Sequence, residues 1–174
     1  MFDKLNVQKN DKIALVGKNG SLWCITYIAT VTYGAVIVPM LQDFPPENLT
    51  NIINHSDSKI LFTSDYIWNK LNAEELTNVE SVISLEKFEC ISTKEEKNAK
   101  FIADAEKAFK EKYPNGFTKE DIKYAEVPNS NVVCFSYTSG TTGFSKGVML
   151  TANNFAGNIT FGITTKMVHK KNNL

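Results

Sequence analysis

Val132-Val133-Cys134-Phe135-Ser136-Tyr137-Thr138-Ser139-Gly140-Thr141-Thr142-Gly143-Phe144-Ser145-Lys146-Gly147-Val148 passes from a short apolar run into a segment dominated by small and hydroxylated residues. The apolar run reads as a buried strand over 132–137, and 153–165 reads as a helix, so the polar segment is expected as a loop between a strand end and a helix. Within it fall the hydroxyls of Thr138, Ser139, Thr141 and Thr142, glycines at 140, 143 and 147, and the amine of Lys146. Glycine allows φ > 0 and close backbone approach, successive N–H groups can line a concave nest for phosphate oxygens, and hydroxyls add donors able to ligate a metal. The residue types therefore point to a loop that wraps a polyphosphate.

Two other glycine loops fail on spacing. G-x-x-x-x-G-K-S/T counted from Gly140 puts Ser145 in the sixth place, and Gly147, not a hydroxyl residue, follows Lys146. G-x-G-x-x-G fails because these glycines are spaced by three and by four.

Outward from the loop, apolar runs alternate with amphipathic stretches: strand 12–16, helix 21–33, strand 35–39, helix 46–55, strand 59–63, a short strand 81–85, helix 97–113 and strand 132–137. That alternation predicts an α/β fold, a doubly wound, mostly parallel sheet with flanking helices, whose ligands gather at the carboxyl ends of strands. Residues 86–123 are dense in Lys and Glu. Phe101, Ala105, Ala108, Phe109 and Tyr113 recur there at helical spacing, with Glu106 and Lys110 four apart, which predicts a charged helical insertion. His55, at the end of a short helix beside Ser56 and Asp57, has no partner motif and is given no catalytic role.

The stretch 21–42 carries no charge and is long enough to be weighed as a membrane span. Thr26, Thr30 and Thr32 dilute it, and Gly34 and Pro39 break it into a buried helix followed by a strand, so no transmembrane segment is expected. With 43% hydrophobic residues, 22% charged residues and a formal net charge of +0, the chain has no basic excess for nucleic acid. Small-molecule partners are expected instead. Cys24, Cys90 and Cys134, without a C-x-x-C pair, read as reduced, buried thiols of a cytoplasmic protein.

Tyr137 to Val148 resembles the signature of the adenylate-forming (AMP-binding) superfamily, Tyr/Phe-Thr-Ser-Gly-Ser/Thr-Thr-Gly-x-Pro-Lys-Gly-Val, departing from it where Ser145 stands for proline. Further matches are Asp11-Lys12-Ile13-Ala14-Leu15-Val16-Gly17-Lys18-Asn19, Trp23, Gly34-Ala35-Val36-Ile37-Val38-Pro39-Met40 and Leu150-Thr151-Ala152-Asn153-Asn154-Phe155, where Ala152 replaces the family's histidine. The region before the loop is most similar to long-chain fatty-acid CoA ligases. The resemblance implies that 1–174 is a partial N-terminal domain, with phosphate loop 137–148, helical insertion about 86–123 and the C-terminal domain absent.

The resemblance also implies chemistry: a carboxylate attacks the α-phosphorus of ATP, pyrophosphate leaves, and the thiol of CoA displaces AMP from the acyl-adenylate. On that pattern Thr138, Ser139, Gly140, Thr141, Thr142, Gly143, Lys146 and Gly147 would contact ATP, Lys146 would serve catalysis as a charge on the leaving pyrophosphate, and Thr138 would offer a hydroxyl to Mg²⁺. The complete enzyme would be compatible with peripheral membrane contact. Taken alone, the truncated chain is expected to be catalytically inactive, and the alternative readings are an inactive fragment or a stand-alone nucleotide-binding module. The acyl length is left open.

Overall fold

A computed structural model describes residues 1–138 and 146–165. Its first three strands form where uninterrupted apolar residues predict them. Lys12–Val16 is β1, Ser21–Tyr33 is α1, Val36–Met40 is β2, Pro46–His55 is α2 and Ser58–Thr63 is β3. Gly34, at φ 89°, ends α1 in the left-handed conformation that a side chain disfavours. Its N–H bonds the Val31 carbonyl, and the Ala35 N–H bonds that of Thr30. In α2, Pro46 occupies the first turn, where an N–H has no helical partner, and Leu49, Ile52 and Ile53 at i, i+3 and i+4 give one buried face.

A single turn, Asp65–Trp68 (α3), precedes β4 (Ser81–Ser84); β5 (Cys90–Thr93), α4 (Glu96–Ala103), α5 (Ala105–Lys112), β6 (Val132–Thr138), β7 (Lys146–Thr151) and α6 (Ala152–Thr164) complete the elements. The seven strands lie in the order β5-β4-β3-β1-β2-β6-β7. The inner five are parallel, and β5 and β7 add antiparallel edges to β4 and β6. Right-handed crossovers that run in opposite directions along a sheet must use opposite faces. Accordingly α1, on the way from β1 to β2, packs Trp23, Tyr27 and Val31 on the face of Ile13, Leu15, Ile37, Ile60, Phe62 and Ile83. Between β2 and the far side of β1, α2 covers Ala14, Val16, Val38, Met40, Leu61 and Val82. Adjacent residues of β1 thus serve different cores, the period-two rule of a strand buried on both sides.

The doubly wound, mostly parallel sheet agrees with the expectation, while several details differ. The Lys146–Thr151 segment is a strand, so the polar segment joins two strands of a hairpin and not a strand to a helix. β5 lies unforeseen inside the charged region. The helix expected over 97–113 is broken at Asp104; α4 buries Asn98 and Ile102, whereas α5 buries nothing. There Phe109, Tyr113 and Phe117 cluster in tilted and edge-to-face contacts with centroids 5.1–5.5 Å apart instead of meeting the sheet, and Lys110 pairs with Glu106 at 2.6 Å as the spacing implied. α1 is not buried all round: Ile25 and Ile28 are exposed, since a helix on a sheet covers only one stripe. Of the cysteines Cys134 is buried, Cys90 half-buried and Cys24 exposed. Among the described residues no helix is long and apolar enough to cross a membrane.

Candidate functional site

The β6–β7 hairpin fixes the geometry at both ends of the polar segment. Tyr137 pairs with Gly147 and Thr138 with Lys146, so the hydroxyl residue and the cation emerge side by side on neighbouring strands, both exposed. Ser139, Gly140, Thr141, Thr142 and Gly143, expected as phosphate contacts, lie outside the described residues. A Cβ on Gly147 would stand 3.0 Å from Tyr137 Cζ. Glycine here leaves room for the tyrosine ring to lie across the partner strand, where a larger residue would crowd it.

Tyr137 turns its ring into the α2 side of the core and is 8% exposed. Its hydroxyl meets His55 Nδ1 at 2.7 Å, with the two rings edge to face, centroids 5.8 Å apart. Burial first, then the negative charge of Asp57, pushes the phenol above its ordinary range. The phenol therefore keeps its proton, and in the tautomer protonated on Nε2 the imidazole Nδ1 accepts it.

Beside this root a cleft of about 640 Å³ opens at the carboxyl ends of β1, β2 and β6. Gly17, Lys18 and Asn19 follow β1, Leu41, Gln42 and Asp43 follow β2, Ser136 and Tyr137 come from β6, and Trp23 looks in from α1. Its volume suits a small-molecule ligand, and its place is where open α/β sheets bind ligands. Lys18 and Asn19 were within reach of sequence reasoning, because they directly follow a strand. His55 was not, because its partner stands eighty-two residues away in sequence.

A second cavity of about 360 Å³ lies between the amino-terminal segment and α1, lined chiefly by Phe2, Ile25, Ala29, Phe62 and Phe88. Thr26, nearly fully buried at its wall, has a hydroxyl without a hydrogen-bond partner among the described residues. Asp3, Thr32, Tyr33 and Lys123 add polar groups at the rim of this cavity, but it lies away from the carboxyl ends of β1, β2 and β6.

Among the described residues no group of three His, Cys, Asp or Glu side chains could hold a metal ion. Thr138 contributes one neutral oxygen beside a cation, which is not by itself a Mg²⁺ site, since Mg²⁺ favours carboxylates together with substrate phosphates.

Comparison with known proteins adds to this geometry. A family profile described as AMP-binding enzyme matches residues 1–172. Luciferin 4-monooxygenase of Photuris pensylvanica is 30% identical over 161 residues, an alignment covering 88% of this chain and 27% of that protein. A long-chain-fatty-acid–CoA ligase of Salmonella typhimurium is 25% identical over 168 residues, 89% of this chain and 30% of that protein. In fold, a long-chain-fatty-acid-CoA ligase from Archaeoglobus fulgidus matches with a TM-score of 0.70 at 23% identity, over 97% of this chain and 30% of that one. MatB from Rhodopseudomonas palustris, solved with ATP bound, matches with a TM-score of 0.66 at 21% identity, over 94% of this chain and 29% of that one. The chain thus spans under a third of the length of these relatives.

Proposed function

Since the chain belongs to the AMP-binding enzyme family, we propose that it holds the polyphosphate of ATP at the root of the β6–β7 hairpin, as part of an acid–thiol ligase that activates a fatty acid. The observation that carries the reading is the pairing of Thr138 with Lys146 beside the cleft at the carboxyl ends of β1, β2 and β6.

In the adenylation half-reaction a carboxylate oxygen bonds to the α-phosphorus, the bond from that phosphorus to the bridging oxygen of the β-phosphate breaks, and pyrophosphate departs with the electron pair. The chemistry asks the protein mainly for positioning and for charge opposite the leaving group. Lys146 supplies that charge, and Thr138 donates its O–H to a phosphate oxygen. Ser139, Gly140, Thr141, Thr142, Gly143 and Gly147 complete the phosphate-binding set in this proposal. Mg²⁺, arriving with the nucleotide, would offset phosphate charge, with the Thr138 hydroxyl as one of its oxygens. In the second half-reaction the sulfur of CoA bonds to the acyl carbon and AMP leaves.

The test has two parts. ATP binding by the 174-residue chain, measured calorimetrically, is expected; its absence overturns the nucleotide reading. Carboxylate-dependent exchange of pyrophosphate into ATP, across short to long fatty acids and measured on the reading frame extended through both ends of this segment, then tests the ligase, and stimulation by one range of lengths identifies the acid. Binding without exchange by any acid would leave a nucleotide-binding module.

A further inference from the structure

We infer that His55 is a positioning residue of the nucleotide site, holding the hairpin root in register through Tyr137. That role rests on the ATP reading above and adds a residue to it. His55 ends α2, and that end is firmly held. Ser56 N–H bonds the Ile52 carbonyl at 2.9 Å, and Ser56 Oγ bonds the Ile53 carbonyl at 3.0 Å and Ser58 Oγ at 2.7 Å. Asn54 donates to the Glu75 carbonyl at 2.7 Å and accepts from Thr77 N–H at 3.1 Å. His55 is exposed, and its one side-chain hydrogen bond among the described residues is with Tyr137.

On the other side of that phenol the ring rests against the backbone of Gly147, close enough that a methyl group there would stand 3.0 Å from Cζ. One continuous set of contacts therefore runs from α2 through His55 and the Tyr137 ring to β7. It ends one residue before the pair Thr138 and Lys146. Thr138 and Lys146 form the last rung before the segment that connects the two strands, and on an edge hairpin the rungs beside a long connection open more readily than those backed by the core. A side chain anchored in another element opposes that opening, and keeps hydroxyl and amine at the spacing a polyphosphate needs. Positioning of this kind changes affinity for the charged ligand without touching it.

The experiment measures ATP and AMP affinity of the 174-residue chain, well below its melting temperature, for the native protein, His55→Leu, His55→Asn, Tyr137→Phe and the Leu/Phe double variant. His55→Leu and Tyr137→Phe should each weaken ATP binding about three- to tenfold, as expected for one lost hydrogen bond. AMP binding should change less, and the double variant should be no worse than either single one. His55→Asn, whose side-chain amide can take the place of Nδ1, should restore native affinity. Native affinity in a folded His55→Leu protein, additive losses in the double variant or failure of Asn to rescue would each overturn the inference. Should the native chain bind no ATP, the ATP reading fails, and amide exchange at Gly147 and Val148 decides this one: it must quicken in Tyr137→Phe and return to native in His55→Asn, and unchanged exchange overturns it. If His55→Leu does not fold, Tyr137→Phe and His55→Asn carry both measurements.

Discussion

At Gly147 a hydrogen atom stands where any other residue would place carbon against a tyrosine ring. Gly147→Ala requires the ring to give by a few tenths of an ångström, and is expected to cost about 1 kcal/mol, the lower end of the range for overpacking. Gly157, inside α6, is the contrasting case, for a Cβ added there would meet nothing within 4 Å. There alanine removes backbone freedom from the unfolded chain and should stabilise by roughly 0.5–1 kcal/mol. Urea titration of the two variants checks both, and a neutral Gly147→Ala would remove the packing explanation for that glycine. Lys146 poses a different question, one of charge. If its amine faces the terminal phosphates, Lys146→Ala should weaken ATP on the order of tenfold or more, the value of a charge-assisted hydrogen bond, and leave AMP nearly unchanged. Equal losses for ATP and AMP would argue against that role.

Burial divides the helices more sharply than their sequences do. α2 buries Leu49, Thr50, Ile52 and Ile53, while α5 buries no residue, although Glu106 and Lys110 pair well along it. Local opening follows burial, so amides of α5 should exchange with solvent well ahead of those of α2 when followed by mass spectrometry. Equal protection would mean that α5 is held by contacts not recognised in the fold. The same division explains what could be read in advance. Ile13-Ala14-Leu15-Val16 and Ile60-Leu61-Phe62 are buried on both faces and read directly as strands. β7 starts with Lys146-Gly147 and then sets Val148, Met149 and Leu150 in a row, so alternation is missing; it forms because β6 offers it a ladder. β5 is four residues at a sheet edge inside charged sequence, with too short a pattern to stand out. At the site, the loop chemistry was legible because it is local, whereas the link from His55 to Tyr137 exists only once α2 and β6 are folded together.

Across the whole molecule the titrating groups with resolved burial effects in the core shift in one direction. Burial raises Tyr27, Tyr33, Tyr137, Cys90 and Cys134; Tyr33, which also bonds Asp3, is pushed up to about 12. For an acid whose folded pKa is raised, stability is intact below the unfolded pKa and is lost as pH climbs through it toward the folded value. With unfolded values of about 8.5 for cysteine and about 10 for tyrosine, the melting temperature should hold through neutrality, decline from about pH 8.5 and fall faster above about pH 10. A melting temperature constant to about pH 11, roughly one unit above tyrosine's usual value, would contradict this burial.

The parallel ladder that joins β2 to β6 pairs Ile37 with Cys134. β1, β2 and β3, by contrast, close on one another within residues 12–63. Bringing distant segments together costs loop entropy before any contact repays it, and non-local pairings form slowly. The hairpin of β6 and β7 is local and can form early, but its docking onto β2 must wait for the longer closure. During refolding, pulse labelling should protect β1 and β3 before β6. A chain caught midway therefore owns most of its hydrophobic interior while lacking the strand junction on which nucleotide recognition depends: in time as well as in space, the site is added at the margin of a fold already made.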